Sequence, residues 1–298
     1  MAPVRSGVLV ACVVAHQILW AACGMIPRMS TTPAFTASAY PPRADLRRRI
    51  LAGEPTIGAW ASLGSLASTE QLARAGFDWV VVDLEHGAAT EADLYAQLLA
   101  VQGTSTAALV RPQSGERMRV GRALDTGADG LVIPRLETVA DVAETVSWMR
   151  FPPAGIRGLA LTTRGAGMGA LTHDTVAAEI NPRITGIFQI ESPAAVAASR
   201  EMAALDGVDV LFVGPADLSH SMGIPGRFDE PAFIAALDAV VAAARAHGKG
   251  AGILLKDGAA VPAYRDRGFT FIGIGSDAGW VRSGATAQLA VARAALAG

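Results

Sequence analysis

Lysine is almost missing from this chain. Its 298 residues include two, Lys249 and Lys256, and every other basic residue is arginine or histidine. A lysine nucleophile therefore has two places to be. Cysteine is equally scarce: Cys12 and Cys23 are the whole supply. Beyond residue 23 the chain can build neither a disulfide, nor a thiolate metal site, nor a cysteine nucleophile. Net charge is also lacking. A formal value of −2 gives no basic footprint for nucleic acid. Long apolar runs are absent after the first 25 residues.

That first run, "MAPVRSGVLVACVVAHQILWAACGM", reads in two main ways. It is a signal or membrane anchor through residues 8–24, or it precedes a true start at Met25 or Met29. We take residues 1–42 as an N-terminal extension outside the fold and residues 43–298 as one domain, and expect a cytoplasmic protein.

What is abundant is apolar residues, 51% against 17% charged, enough for a large core. From residue 56 short β-rich runs alternate with alanine-rich helical runs. Strands are expected at 56–62, 78–86, 107–112, 130–136, 184–192, 209–218, 249–255 and 269–277. Helical patterns follow at 68–76, 90–102, 115–127, 138–150, 193–205, 230–248, 257–268 and 284–298. Ser68 or Thr69 can cap the first of these, Gly76 can end it, and Pro193 opens another. The stretch 151–183 breaks the rhythm and reads as a long functional loop. Eight strand–helix units predict a (β/α)8 TIM barrel, with a doubly wound sheet as the structural rival.

In such a barrel the chemistry sits at the C-terminal ends of the strands. Those ends hold Asp83, Glu85 and His86; Arg111; Gln189 and Glu191; Asp217; Leu254 and Lys256; Ser276 and Asp277. Glu191 and Asp217 form a hard oxygen pair suited to a divalent ion; the bland alternative is that each pairs with an arginine. His173, His220 and His247 carry no motif, although His220 can reach the mouth. The glycines of "GIGSDAG" (273–279) suggest only weakly a phosphate cradle.

The stretches "GAWASLGSLASTEQLARAGFDWVVVDLEHG", "LVRPQ", "ALDTGADGLVIPRLET", "FPPAGIRGLAL", "FQIESPAAV", "DVLFVGPADLSHSMGIPG" and "FTFIGIGSD" occur in an order that resembles the HpcH/HpaI aldolase family, from Ile57 to Asp277. The resemblance implies a TIM barrel of the phosphoenolpyruvate/pyruvate superfamily type. It also implies a metal-dependent class II pyruvate aldolase, which splits a 4-hydroxy-2-oxo acid of the 2-dehydro-3-deoxyglucarate or 4-hydroxy-2-oxoheptanedioate type into pyruvate and an aldehyde. Carried over, the metal ligands fall on Glu191 and Asp217, the ion being Mg²⁺, Mn²⁺ or Co²⁺. His86 becomes the proton-transfer group and Asp125 its carboxylate partner. Arg111, Gln189, Ala216, Asp217 and Leu254 bind the pyruvate end, and Asp83 and Glu85 support the metal's water. Arg164 stands where the family has Ala-Arg-Ala, in a departing context. Family likeness further implies a homo-oligomer, a hexamer built as a trimer of dimers that exchange final helices. The rival chemistries are a Schiff-base aldolase through Lys256 and an acyl-CoA ester lyase of the citrate or malyl-CoA type.

Overall fold

A computed structural model describes residues 45–297; the expectations for residues 1–42, including Cys12 and Cys23, fall outside it. A short helix α1 (Leu46–Leu51) precedes eight strands: β1 (Thr56–Ala61), β2 (Trp79–Asp83), β3 (Ala107–Arg111), β4 (Gly130–Ile133), β5 (Thr185–Ile190), β6 (Val210–Val213), β7 (Gly250–Leu255) and β8 (Phe271–Ser276). They pair in chain order and β8 closes on β1, so all eight form one parallel barrel. Every crossover carries a helix: α2 (Leu66–Arg74), α3 (Glu91–Val101), α4 (Arg117–Asp125), α5 (Val139–Met149), α6 (Val176–Ile180), α7 (Pro193–Ala204), α8 (Pro215–Ser221), α9 (Pro231–Ala246) and α10 (Val261–Arg267). The chain's described part ends in α11 (Asp277–Ala297). The expected barrel is therefore the observed one.

The period-two alternation of a strand decides which side chains fill the barrel. Stepping by twos, β2 sends Trp79, Val81 and Asp83 to one side, β3 sends Ala107, Leu109 and Arg111, and β5 sends Ile187 and then Gln189. Trp79, Val81, Leu109, Val132, Ile187, Val210, Phe212 and Phe271 pack as one interior cluster. The Trp79 and Phe271 rings stack at 4.1 Å, and Trp60 meets Trp79 edge-on at 5.7 Å. Gly58 makes that stack possible, since a Cβ there would lie 2.0 Å from Trp79 Cδ2. The alternate residues, such as Val82, Val110 and Val213, pack outward against the helices. The lower barrel is thus apolar apart from Thr56, which accepts from Trp79 Nε1 at 3.2 Å, and Thr185, and charged residues enter only where the inward positions reach the C-terminal strand ends.

The opposite end is pinned by a repeated device. Asp78, Asp129 and Asp209 stand immediately before β2, β4 and β6. Each accepts a backbone N–H from the start of the preceding strand: Ile57 at 2.7 Å, Ala108 at 2.8 Å and Gly186 at 2.9 Å. Leu46 and Ile50 of α1 close the barrel beneath, while Arg47 reaches Asp209 at 3.0 Å.

Three local expectations change. The α2 cap is Ser65, whose hydroxyl accepts from Ser68 N–H; Thr69 is buried and bonds Gln97 instead. The stretch 151–183 is not structureless, because a 3-10 turn (Arg164–Ala166) and α6 enclose a small core of Phe151, Ala166 and Val176. Strand β6 stops at Val213, and Asp217 belongs to the first turn of α8. Pro215 explains this: proline at the first helical positions is preorganised for helix, and an acid in the first turn is favoured by the helix dipole.

Candidate active site

The polar end of the barrel has two sides. On one, β2 and β3 run in register, with Asp83 opposite Arg111. The Arg111 guanidinium grips Asp83 through two hydrogen bonds, Nε to Oδ1 at 2.9 Å and Nη2 to Oδ2 at 2.7 Å. Its Nη1 lies 3.0 Å from Glu85 Oε2. Asp83 Oδ1 also accepts the backbone N–H groups of Glu85 and His86, which folds the turn after β2 back onto the strand end. Asp83 is 1% exposed. Burial acts to raise its pKa, but the hydrogen bonds and charge of Arg111 win and hold it below the usual carboxylate range. Burial likewise opposes the charge on Arg111, but Asp83 and Glu85 prevail and raise its pKa.

This changes the expected job of Asp83. It is an anchor for Arg111, committed to that cation and two amides. Glu85 keeps a place nearer the open mouth: burial, followed by the charges of Asp83 and Asp217, raises its pKa despite Arg111. His86 projects outward, its side chain 65% exposed and Nε2 3.8 Å from Glu85 Oε2.

The other side is built by β5, β6 and α8. Gln189 Nε2 donates to Glu191 Oε1 at 2.7 Å, while Gln189 Oε1 is buried without a hydrogen-bond partner. Glu191 lies against Gly214, where a Cβ would come within 2.6 Å of Oε1, so the glycine of "VGPAD" is what lets the carboxylate sit there. The Glu191 pKa is raised from an ordinary 4.5 to about 7, first by burial, then by the charges of Asp217 and Glu85. Arg111 and the backbone N–H of Arg135 counteract this without overcoming it. No ion pair joins a basic side chain to Glu191 or Asp217 among the described residues, so the bland reading of two arginine partners fails.

These residues fit a small hard cation. Among the described residues no group of three or more His, Cys, Asp or Glu could encage an ion. A pair of carboxylates beside a spare amide oxygen is the donor set for an ion that keeps several waters. Glu191, whose pKa burial and then its neighbours' charges push up to about 7, is the residue a cation would relieve.

A cavity of about 240 Å³ opens along Glu191 and Asp217 and is also lined by Arg135, Glu137, Ser192 and His220. Sequence reasoning passed over Arg135, although the strand-end rule applied to the fourth strand reaches it. Ala216 is exposed beside Asp217, and Leu254 is half-buried at the end of β7 against the interior cluster.

Four other candidates lie elsewhere. Asp125 ends α4 and accepts from Arg157 at 2.9 Å; no hydrogen bond or ion pair joins it to His86 within the described chain, so the expected dyad is not formed in one copy. Its partner comes from the loop at 155–158, which the helical pattern around Asp125 could not disclose. Arg164 is 5% exposed, donating to Gln102 at 3.0 Å and lying 5.7 Å over the Tyr95 ring. Asp277 is 4% exposed and accepts from Ser62 N–H at 2.8 Å and Ser68 Oγ at 2.6 Å, so it ties β8 to the loop after β1. The middle of "GIGSDAG" thus places a buried carboxylate where the glycine pattern had suggested a phosphate cradle. Lys256 is exposed just past β7.

Known proteins resemble this chain over most of its described length. The family model for HpcH/HpaI aldolase/citrate lyase matches residues 56–283. A 5-keto-4-deoxy-D-glucarate aldolase of Klebsiella pneumoniae is 39% identical over 241 residues, covering 81% of this chain and 93% of its own length. The crystal structure of a HpcH/HpaI aldolase/citrate lyase family protein from Burkholderia cenocepacia is 37% identical with a TM-score of 0.78, covering 83% of this chain and 98% of that one. A HpcH/HpaI aldolase from Desulfitobacterium hafniense has the same TM-score at 27% identity, with coverage of 83% and 96%.

Proposed function

The chain belongs to the HpcH/HpaI aldolase/citrate lyase family, and we propose that it is a class II pyruvate aldolase, cleaving a 4-hydroxy-2-oxo acid of the 2-dehydro-3-deoxyglucarate type to pyruvate and an aldehyde. It is an enzyme, a carbon–carbon lyase. The observation that carries the mechanism is the carboxylate pair of buried Glu191 and exposed Asp217, which no basic side chain joins in an ion pair among the described residues, beside a fully clamped Arg111.

Glu191 and Asp217 would hold Mg²⁺, Mn²⁺ or Co²⁺, which when bound polarises the 2-oxo group and stabilises negative charge on its oxygen. Arg111 cannot swing away, because Asp83 and Glu85 fix three of its nitrogens. Its remaining N–H groups present a preorganised positive charge to the pyruvyl end. Gln189, the backbone at Ala216 and the apolar Leu254 complete the recognition of that end. His86, exposed and flexible in reach, takes the proton from the 4-hydroxyl as the C3–C4 bond breaks, and returns a proton in the synthetic direction. Glu85, next to it, supports the water of the site.

Assembly belongs to this reading. Helix α11 buries only Asp277 and exposes Val281, Leu289, Val291 and Leu296, so an apolar helix awaits a second copy. We take the enzyme as a homo-oligomer, a trimer of dimers, in which Asp125 of one copy meets His86 of another. Both side chains are open enough for this, at 36% and 65% exposed.

A small acid suits the 240 Å³ cavity better than an acyl-CoA ester, since sites for drug-sized ligands run from about 300 to 1,000 Å³. The test is pyruvate release from 4-hydroxy-2-oxo acids after exhaustive chelation and after restoring each cation. Activity that vanishes and returns with the cation supports the reading. Full activity in the chelated enzyme, or cleavage of malyl-CoA alone, overturns it.

A further inference from the structure

Arg135 is one of two non-glycine residues with positive φ among the described residues, at 54°, the other being Met168. That conformation suits glycine, and a bulky side chain held there is strained. It follows β4 directly, and its backbone N–H hydrogen-bonds Glu191. Backbone geometry alone therefore calls for glycine, which has the same N–H. The guanidinium is the part that glycine would lack.

That guanidinium lines the cavity shared with Glu191 and Asp217, and among the described residues no carboxylate forms an ion pair with it. Glu137 lines the same cavity without pairing to it. Ser192 and His220 add hydrogen-bonding groups. Once a divalent cation offsets Glu191 and Asp217, the cavity retains a free planar cation with several hydroxyl-binding groups around it. A guanidinium of this kind recognises a carboxylate through two parallel hydrogen bonds.

We infer that Arg135 is a specificity residue whose guanidinium binds the carboxylate at the substrate end remote from the 2-oxo acid, and so sets how strongly the enzyme prefers that carboxylate over a neutral group at the same place. The inference rests on the aldolase reading above and deepens it.

The test compares two substrates of equal length, a 4-hydroxy-2-oxo diacid and its terminal amide, in the cation-loaded full-length enzyme. Wild type should prefer the diacid. Arg135→Gly relieves the backbone and keeps the N–H to Glu191, so it should fold and bind Mn²⁺ as wild type does. Its preference for the diacid, as the ratio of kcat/KM values, should fall roughly 10- to 100-fold, mostly through KM. Arg135→Lys, with the charge but not the fork, should fall between. An unchanged ratio in Arg135→Gly overturns the inference while pyruvate release from either substrate leaves the aldolase reading intact. Lost Mn²⁺ binding in Arg135→Gly would make the residue a support for Glu191 and also overturns it. No pyruvate from either substrate with wild type defeats the underlying reading and the inference together.

Discussion

On the β2–β3 side of the mouth, Asp83 and Glu85 meet Arg111 at 2.7 and 3.0 Å; on the β5–β6 side, Glu191 and Asp217 meet no cation among the described residues. Both pairs of carboxylates are set by the same strand-end geometry, yet their electrostatics diverge. Asp83 is held below its ordinary range, and Glu191 is lifted to about 7. A carboxylate cluster that carries its own arginine is finished as folded. One that lacks a cation is unfinished, and under the proposed function a bound divalent ion completes it. Removing an unpaired charge should therefore cost function and not stability, the reverse of removing a paired one.

The sharpest break in this comparison is Glu191→Gln. It keeps the shape, and Gln189 can turn its spare Oε1 toward the new amide, so the fold should survive. Activity should drop roughly 10⁴-fold or more, the loss of several kcal/mol of charge stabilisation. Steady-state pyruvate release, with calorimetric titration of Mn²⁺, would register both lost turnover and lost binding. A variant that keeps its turnover would remove the unfinished side from the mechanism.

His86→Ala comes next. The side chain is 65% exposed, so stability should change by no more than ~0.5 kcal/mol. Cleavage should slow by roughly 10²- to 10³-fold through lost proton transfer, with Mn²⁺ affinity retained. If Mn²⁺ binding disappears as well, His86 is a ligand and the division between the two sides fails.

The two sides also predict opposite responses to pH in the cation-free protein. For Glu191 the folded pKa lies above the unfolded one. Its contribution to stability is full below about 4.5 and is lost as pH rises toward 7, a loss of about 3 kcal/mol. For Asp83 the folded pKa lies below the unfolded one. Its contribution is present above the ordinary carboxylate range and is lost as pH falls through the depressed value. Thermal melts of chelated protein should therefore show stability declining from pH 5 to 7 more steeply than in Glu191→Gln, with Mn²⁺ erasing the difference. Equal slopes in the two proteins would contradict the raised Glu191.

Much of this was legible in the chain because a strand's period is two. Once the eight strands are placed, inward parity brings Asp83, Arg111, Gln189 and Glu191 to one end without any contact being known. Pattern reading ran out where a third element decides. Asp217 sits a helical turn beyond its strand because Pro215 starts α8. Asp125 is held by Arg157 from a distant loop, and Asp277 is buried by Ser62 and Ser68, which follow the neighbouring strand β1 at the other end of the chain. Even the role of Asp83 turned on its pairing, since a carboxylate reads the same in sequence whether it faces a cation or a water. Partners close to a residue in space but distant in sequence are the information that pattern reading lacks.

The smallest expected effect concerns the most economical way to complete the unfinished side, a lysine supplied by the chain itself. Lys256 follows β7, two residues after Leu254, and a nucleophilic lysine there would give a Schiff-base aldolase needing no metal. Such an amine must be desolvated or set beside another cation to lose its proton near neutrality. Lys256 is exposed, and no ion pair joins it to Glu191 or Asp217 among the described residues. Lys256→Met should therefore alter kcat/KM by less than ~2-fold, as surface changes usually do. Borohydride with pyruvate should leave the intact mass of the wild-type protein unchanged. A trapped adduct on Lys256, together with a collapse of activity in Lys256→Met, would give the β5–β6 side its missing cation from within the chain, and would dissolve the contrast between the two halves of the mouth.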